Sequence, residues 1–347
     1  MKNKFISMLI GAAVSLTAAA AANAGTLDDV RQKGFVQCGV SQGLIGFSNP
    51  DEQNNWTGLD VDFCRAVAAA IFNDPSKVKF TPLSAKERFT ALQSGEIDIL
   101  SRNTTWTMSR DTSLGLKFAG VMYYDGQGFL INSKKYPDVK SALQLAGATV
   151  CTQTGTTTEL NLADFFKANN MEYKLVAFEK NEEVLAAYKD GRCDVYTTDQ
   201  SGLYAERLKL PNPEEHVVLP ELISKEPLGP VVRQGDDAWF NVVKWTYFAL
   251  INAEELGVDS KNVEEMKSSK NPEVQRLLGV ANSDGSAAGF GTGIGLDENW
   301  AENIIKAVGN YGEIFERNVG LNTPLKIARG KNALWAQGGL QYGMPIR

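Results

Sequence analysis

The residues best equipped for chemistry crowd into one stretch, "SRNTTWTMSRDT" (101–112), directly behind the apolar run "EIDIL" that ends in Leu100. Hydroxyls at Ser101, Thr104, Thr105, Thr107 and Ser109 stand beside an amide, Trp106 and the arginines Arg102 and Arg110. A strand that stops and presents such donors offers a landing place for an anion. Arg110 suits a carboxylate best, because its planar fork meets one in two parallel hydrogen bonds. Two more polar clusters follow apolar runs, "TQTGTTTEL" (152–160) and "TTDQ" (197–200). The first leads into a helical segment, "TELNLADFFKANN", whose N-terminal amides favour an anion. The second contributes Asp199, a partner for an ammonium group. Arg110, that helix N-terminus and Asp199 at the mouth of one cleft would match the two charges of an α-amino acid. Asp199 reads equally well as the N-cap of a helix starting near Ser201, and Arg110 as a solvated residue at a helix start.

The rest of the inventory narrows the chemistry. The chain has one histidine, His216, in "PNPEEHVVLP", where an exposed loop is expected. Without a second, no Ser/His/Asp or Cys/His set can be assembled, and no spacing resembles a metal site. Asp60 and Asp62 stand two apart in a helical segment and so point to different faces. The glycines 289, 291, 293 and 295 of "GSAAGFGTGIGLDENW" match no phosphate-loop spacing and read as a surface loop, so no cofactor is expected. A formal net charge of −6 at pH 7 argues against nucleic acid as a partner, since that binding rests on clustered lysine and arginine. A carboxylate acting alone, Asp199 or Glu159, keeps an enzyme as the second reading.

Lys2 and Lys4 precede the apolar run "FISMLIGAAVSLTAAAAA", and Ala22-Asn23-Ala24 supplies small residues for cleavage, so residues 1–24 read as a secretory signal peptide. Its removal takes the net charge to −8 by deleting those two lysines. No later run approaches the apolar length of a membrane span. An exported, soluble chain is expected.

The elements that must hold the polar clusters alternate. Strand "GFVQCGV" (34–40), helix "GLDVDFCRAVAAAIF" (58–72), strand "KVKFTPL", a short helix closed by Gly95 and strand "EIDIL" imply parallel sheets with crossovers. The second half repeats the first: "ALQSGEIDIL" aligns without gaps on "AAYKDGRCDVY", pairing Gly95 with Gly191 and Asp98 with Asp194. Passes between two similar lobes are expected near "MYYDGQGFLI" (122–131) and "ISKEPLGPVVRQGD" (223–236). The expected fold class is α/β, with two lobes, each a mostly parallel sheet flanked by helices, joined by a two-segment hinge. Residues 25–124 and 228–347 would form lobe 1, with a C-terminal extension from about 281, and residues 125–227 lobe 2. Each half carries one cysteine on its first strand and one on a later element. Disulfides Cys38–Cys64 and Cys151–Cys193 are therefore expected, since they leave the lobes free to move; buried free thiols are the alternative.

The motifs "TGLDVDFCRAVAAAI", "RFTALQSGEIDIL…TTWTMSRD", "TQTGTTTE" and "GRCDVYTTDQ" occur in the order seen in the periplasmic amino-acid-binding proteins of ABC importers. The chain resembles that family over nearly all of its mature length, and its long tail makes it most similar to the general L-amino-acid-binding subgroup. The resemblance implies a type II binding-protein fold. It implies a monomeric periplasmic protein that captures free L-amino acids, polar and acidic ones included, by hinge closure and delivers them to a membrane permease. Arg110 would grip the α-carboxylate, with Thr105 beside it and Thr157 reaching from the second lobe. Asn103 would meet ligand mainly through its backbone, Asp199 would accept the ammonium, and Arg88 would reach the ligand side chain. Leu44 and Phe47 stand where the family often carries an aromatic wall, and Trp106 is either a replacement wall or a core residue. The second reading is an exported dehydratase of amino-acid-like acids on the same fold.

Overall fold

The computed structural model describes residues 25–347 except 282, 283, 285 and 287–289. The leader 1–24 and Gly289 of the glycine-rich stretch therefore lie outside the described residues. α1 (Thr26–Lys33) leads into β1 (Val36–Val40), and a small hairpin, β2 (Asn49–Pro50) and β3 (Trp56–Thr57), precedes α2 (Leu59–Phe72). Val61, Cys64 and Ala68 of α2 are fully buried, as its apolar stripe requires. Asn73 ends it in the left-handed conformation at φ 53°, returning its N–H to Ala69. β4 (Val78–Pro82), α3 (Arg88–Ser94), β5 (Ile99–Leu100), α4 (Met108–Thr112) and β6 (Leu116–Phe118) follow.

The chain then crosses through β7 (Tyr123–Asp125) and builds β8 (Gln127–Asn132), β9 (Thr149–Gln153), α5 (Thr157–Ala168), β10 (Lys174–Phe178), α6 (Asn181–Lys189), β11 (Val195–Asp199), α7 (Gln200–Arg207) and β12 (His216–Val218). It returns through β13 (Glu226–Leu228) and β14 (Val231–Arg233). Two five-stranded sheets result, ordered β4-β1-β5-β14-β6 and β10-β9-β11-β8-β12. Three neighbours in each are parallel, and the fourth strand, β14 or β8, enters antiparallel just after a crossing. The two orders are the same pattern, so the repeat in the sequence is a repeat in space. Asp98 and Asp194, aligned in that repeat, do the same work: Asp98 accepts from Gln37 N at the start of β1, and Asp194 from Thr149 N at the start of β9.

Each sheet has its own apolar core, with Val36, Val40 and Phe63 buried in one lobe and Phe129, Val150 and Phe166 in the other. Both expected disulfides are present, Cys38–Cys64 joining β1 to α2 and Cys151–Cys193 joining β9 to the approach of β11. His216 departs from the expected exposed loop. It is buried at the edge of the second sheet, where its Nδ1 lies 2.8 Å from the Tyr188 hydroxyl. Apolar residues on both sides of it, Leu210 and Leu219, pull the loop inward.

The tail continues as α8 (Asp237–Glu255), α9 (Val263–Met266), α10 (Pro272–Leu277), α11 (Trp300–Val308) and α12 (Tyr311–Asn318). Helices α11 and α12 pack on α2 and α8. The last residues reach back to the crossing: the Asn332 side chain takes Tyr124 N–H at 2.7 Å and donates to Tyr124 O at 3.2 Å. Gln341, fully buried, donates to Val121 O and Tyr311 and accepts from Tyr247. One edge of β7 thus pairs with β13 and the other with a side-chain amide.

Candidate ligand cleft between the two lobes

The loop 101–107 is shaped from beneath by Asp60, near the start of α2. Its carboxylate accepts from Ser101 Oγ at 3.0 Å and from Asn103 N at 2.9 Å, which turns Asn103 into a left-handed φ of 32°. Burial pushes the Asp60 carboxyl up to about 6. Asp62, on another face of α2, pairs with Arg65 and Arg317. Residues 104–106 then run along β13: Gly229 donates to Thr104 O, and Trp106 donates to Pro227 O at 2.8 Å. Most hydroxyls of the stretch are spent locally, Thr104 on Arg102 O and Thr107 as the N-cap of α4. Thr105 is the exception, and it faces the second lobe. Trp106 is neither a core residue nor a cleft wall; it is 39% exposed and stacks on Phe118 at 5.4 Å.

Three guanidiniums converge behind this loop. Arg88, Arg102 and Arg110 are all buried, and among the described residues none of them forms an ion pair. Arg110 Nη1 donates to Thr105 O at 2.8 Å, Arg102 Nε to Leu83 O at 2.9 Å, and Arg88 Nη1 only to Thr104 Oγ1 at 3.4 Å. Arg88 Nε has no partner among the described residues. The Phe89 ring lies under both Arg88 and Arg110, at 4.7 and 5.1 Å. Burial, aggravated by each other's charge, holds Arg88 well below the ordinary arginine range and takes Arg102 down to about 10. A buried cluster of this sign calls for an anion.

The second lobe brings α5 and α7. Gly155, at φ +74°, lets the turn before α5 approach the backbone of Ala85 and Lys86; a Cβ there would sit 3.4 Å from Lys86 Cα. Thr156 caps α5 by accepting from Glu159 N, and Thr157 opens it. The carboxylate at this helix end belongs to the chain. Glu226 on β13 accepts from Thr157 Oγ1 at 2.9 Å and Thr105 Oγ1 at 2.6 Å on one oxygen, and from Asn161 Nδ2 and Ser224 Oγ on the other.

The two readings of Asp199 are separated by Asp125, at the end of β7. Asp125 accepts from Ser201 Oγ and, at 3.3 Å, from Ser201 N, so it caps α7 in place of Asp199. The Asp199 side chain makes no cap bond and is left buried in the cleft. Burial, then the charges of Asp125 and Glu226, raises its carboxyl well above the usual range, while Asn103 and Arg88 oppose them. The Oδ1 of Asn103 is itself without a donor among the described residues. A ligand ammonium is the group that would satisfy both acceptors.

A small cavity of about 30 Å³ remains between the lobes, lined by Ser41, Leu44, Arg102 and Asn103 on one side and Asn181 and Glu206 among others on the opposite side. Leu44 is thus at the cleft, whereas Phe47 is in the core, edge-on to Tyr123 at 5.3 Å. Arg88 does not line this cavity, and Arg102 does. Sequence reasoning missed Glu226, Asp125, Asp60 and Phe89 as parts of the site. The legible sign for two of them was an acid in each crossing segment, "YYDGQG" and "SKEPLG".

Residues 36–258 match the model of the bacterial extracellular solute-binding proteins, family 3. Over all 347 residues, and the whole of both chains, the sequence is 64% identical to the general L-amino acid-binding periplasmic protein AapJ of Rhizobium johnstonii. It is 53% identical over 336 residues to the glutamate/glutamine/aspartate/asparagine-binding protein BztA of Rhodobacter capsulatus, covering 96% of this chain and 97% of that one. A solved structure of an ABC transporter periplasmic binding protein from Brucella ovis with glutathione bound superposes with a TM-score of 0.91 at 65% identity, covering 93% of this chain and 100% of that one.

Proposed function

The chain belongs to the bacterial extracellular solute-binding proteins of family 3, and on that premise we propose that it captures free L-amino acids in the periplasm, without catalysis, for a membrane permease of an ABC importer. The observation that carries this is the juxtaposition, across one cleft, of buried Arg110, without an ion pair among the described residues, and buried Asp199, which caps nothing. Their charges match the two ends of a zwitterion. The 64% and 53% identical relatives are both amino-acid-binding by name, which supports the same ligand class here. The glutathione of the Brucella neighbour carries an α-amino-acid head, which agrees with a site that reads that head and tolerates long side chains.

In this reading residues 1–24 are a leader removed on export. Lobe 1 comprises 25–124 and 228–347, lobe 2 comprises 125–227, and β7 with β13 forms the hinge. The ligand enters between open lobes. Arg110, with the backbone amides of residues 105 and 157, takes its carboxylate. Asp199 and Asn103 Oδ1 take its ammonium, and the guanidinium cluster of Arg88 and Arg102 favours side chains that end in an oxygen acceptor. Rotation about β7 and β13 then buries the ligand. The net affinity, after the cost of closure, is expected near −8 kcal/mol, about micromolar.

Calorimetric titration of the mature protein, unfolded and refolded to strip ligand, tests this against the twenty L-amino acids and a decarboxylated analogue. Micromolar binding of several L-forms, lost in the analogue and in Arg110→Ala, is the expected result. Silence across the panel overturns it.

A further inference from the structure

Glu206 is a buried carboxylate that the amino-acid clamp does not use. It is 1% exposed. One oxygen, Oε1, accepts from Asn181 Nδ2 at 2.6 Å and Lys209 Nζ at 3.0 Å. The orientation of Asn181 is fixed independently, because the Tyr196 hydroxyl donates to its Oδ1. The other oxygen, Glu206 Oε2, has no partner among the described residues, and Glu206 lines the cavity of about 30 Å³ between the lobes. An unpaired acceptor this deep costs free energy unless something donates to it.

Position says what the donor belongs to. Asp199, Gly202 and Glu206 fall on one face of α7 at spacings of three and four residues. Asp199 and Glu206 are two turns apart, about 10 Å along the helix axis. Gly202 and Thr198 line the cavity between them, so its floor is low where a side chain must pass. A ligand whose ammonium meets Asp199 therefore extends its side chain along α7 toward Glu206. From the opposite lobe Arg102, buried and without an ion pair among the described residues, lines the same cavity.

A buried anion and a buried cation on opposite walls complement a neutral dipole better than either charge. A carboxylate would meet Arg102 but oppose Glu206, and an ammonium the reverse. We propose that Glu206 and Arg102 form a distal subsite for carboxamide side chains, with the amide N–H₂ donating to Glu206 Oε2 and the amide oxygen facing Arg102. The simplest such ligand is L-glutamine. The proposal rests on the amino-acid reading above.

The test is calorimetric titration of wild type and Glu206→Ala with L-glutamine, L-glutamate and L-norvaline, which share the α-amino-acid head and differ at the side-chain end. In Glu206→Ala, L-glutamine is expected to weaken about tenfold or more while L-norvaline moves less than about threefold. L-Glutamate is expected to hold or tighten, so the glutamine-to-glutamate preference falls. Lys209, bound to Glu206 Oε1, also donates to Gly43 O across the cleft, so any loosening of that latch in Glu206→Ala moves all three ligands alike. An equal shift of the three ligands in Glu206→Ala makes Glu206 part of that latch and overturns the proposal, as does no shift. If wild type binds none of the three, the amino-acid reading itself has failed. Binding of norvaline and glutamate with an unchanged glutamine preference sinks the subsite alone.

Discussion

The hydroxyls of Thr105 and Thr157 lie 3.4 Å apart across the cleft, and both donate to the same oxygen of Glu226. One residue comes from the loop after β5 in the first lobe and the other from the first turn of α5 in the second. The strand that carries Glu226, β13, is itself one of the two crossings. A single carboxylate on that crossing therefore draws a hydroxyl from each lobe to itself.

Removing that carboxylate leaves hydroxyls at Thr105, Thr157 and Ser224 and the Asn161 amide without their acceptor. Glu226→Ala is expected to lower the free energy of unfolding by about 3 kcal/mol, because bonds to a buried charged group are the strong ones. Glu226→Gln keeps an acceptor oxygen and is expected to lose less. Urea denaturation measures both, and a loss below about 1 kcal/mol in the alanine variant contradicts the account.

Amino-acid affinity is expected to fall as pH falls. In the empty cleft, burial and the charges of Asp125 and Glu226 raise Asp199, so it holds its proton at pH values where ordinary carboxyls do not. A ligand ammonium favours the ionised form, so binding expels that proton. Proton release, read by calorimetry in buffers of different ionisation heat near pH 6, is the check. Proton uptake there reverses the sign and refutes it.

Ligand-free stability has its own pH signature. Asp60 and Asp125 are each raised from 3.8 to about 6, mainly by burial. A folded value above the unfolded one means the folded chain binds more protons between about pH 4 and 6, so stability increases as pH falls through 6. From pH 7 to pH 5 each group is expected to add on the order of 1 kcal/mol. Chemical denaturation at the two pH values tests this, and flat or falling stability contradicts it.

The disulfides close loops with sequence separations of 26 and 42 residues. Chain-entropy reasoning gives each about 3–4 kcal/mol of stabilisation. Because each bond lies within one lobe, Cys151→Ser with Cys193→Ser is expected to lower stability by about that amount and leave amino-acid affinity within about threefold. A large affinity change with unchanged stability would contradict this.

Asn332 is the tail's hold on the crossing strand. Asn332→Ala leaves the N–H and C=O of Tyr124 unpaired, at a cost of about 1–3 kcal/mol. Hydrogen exchange at Tyr124 is expected to rise while the second sheet stays protected. Unchanged exchange at Tyr124 contradicts this account.

Much of this protein was legible in the order of its residues because the signals are local. Alternation of strand and helix, the internal repeat pairing Asp98 with Asp194, and the intralobe cysteine pairs depend on periodicity and spacing, and the folded chain keeps them. The motifs around Arg110, Thr157 and Asp199 likewise mark strand ends, where an open α/β sheet exposes its loops. What the order of residues left open was every choice between two uses of one side chain. Asp199 could cap a helix or face a ligand, and the choice falls to Asp125, 74 positions earlier, which takes the cap. His216 is drawn inside by Tyr188, and Trp106 is left outside on Phe118. Glu226 meets Thr105 from 121 positions away and Thr157 from 69. Such partners are set by how two lobes and a hinge close on one another, and no local pattern encodes that distance. Residue types and spacing determined which polar groups stand at the strand ends, and the packing of the lobes decided which of them are spent on partners within the chain.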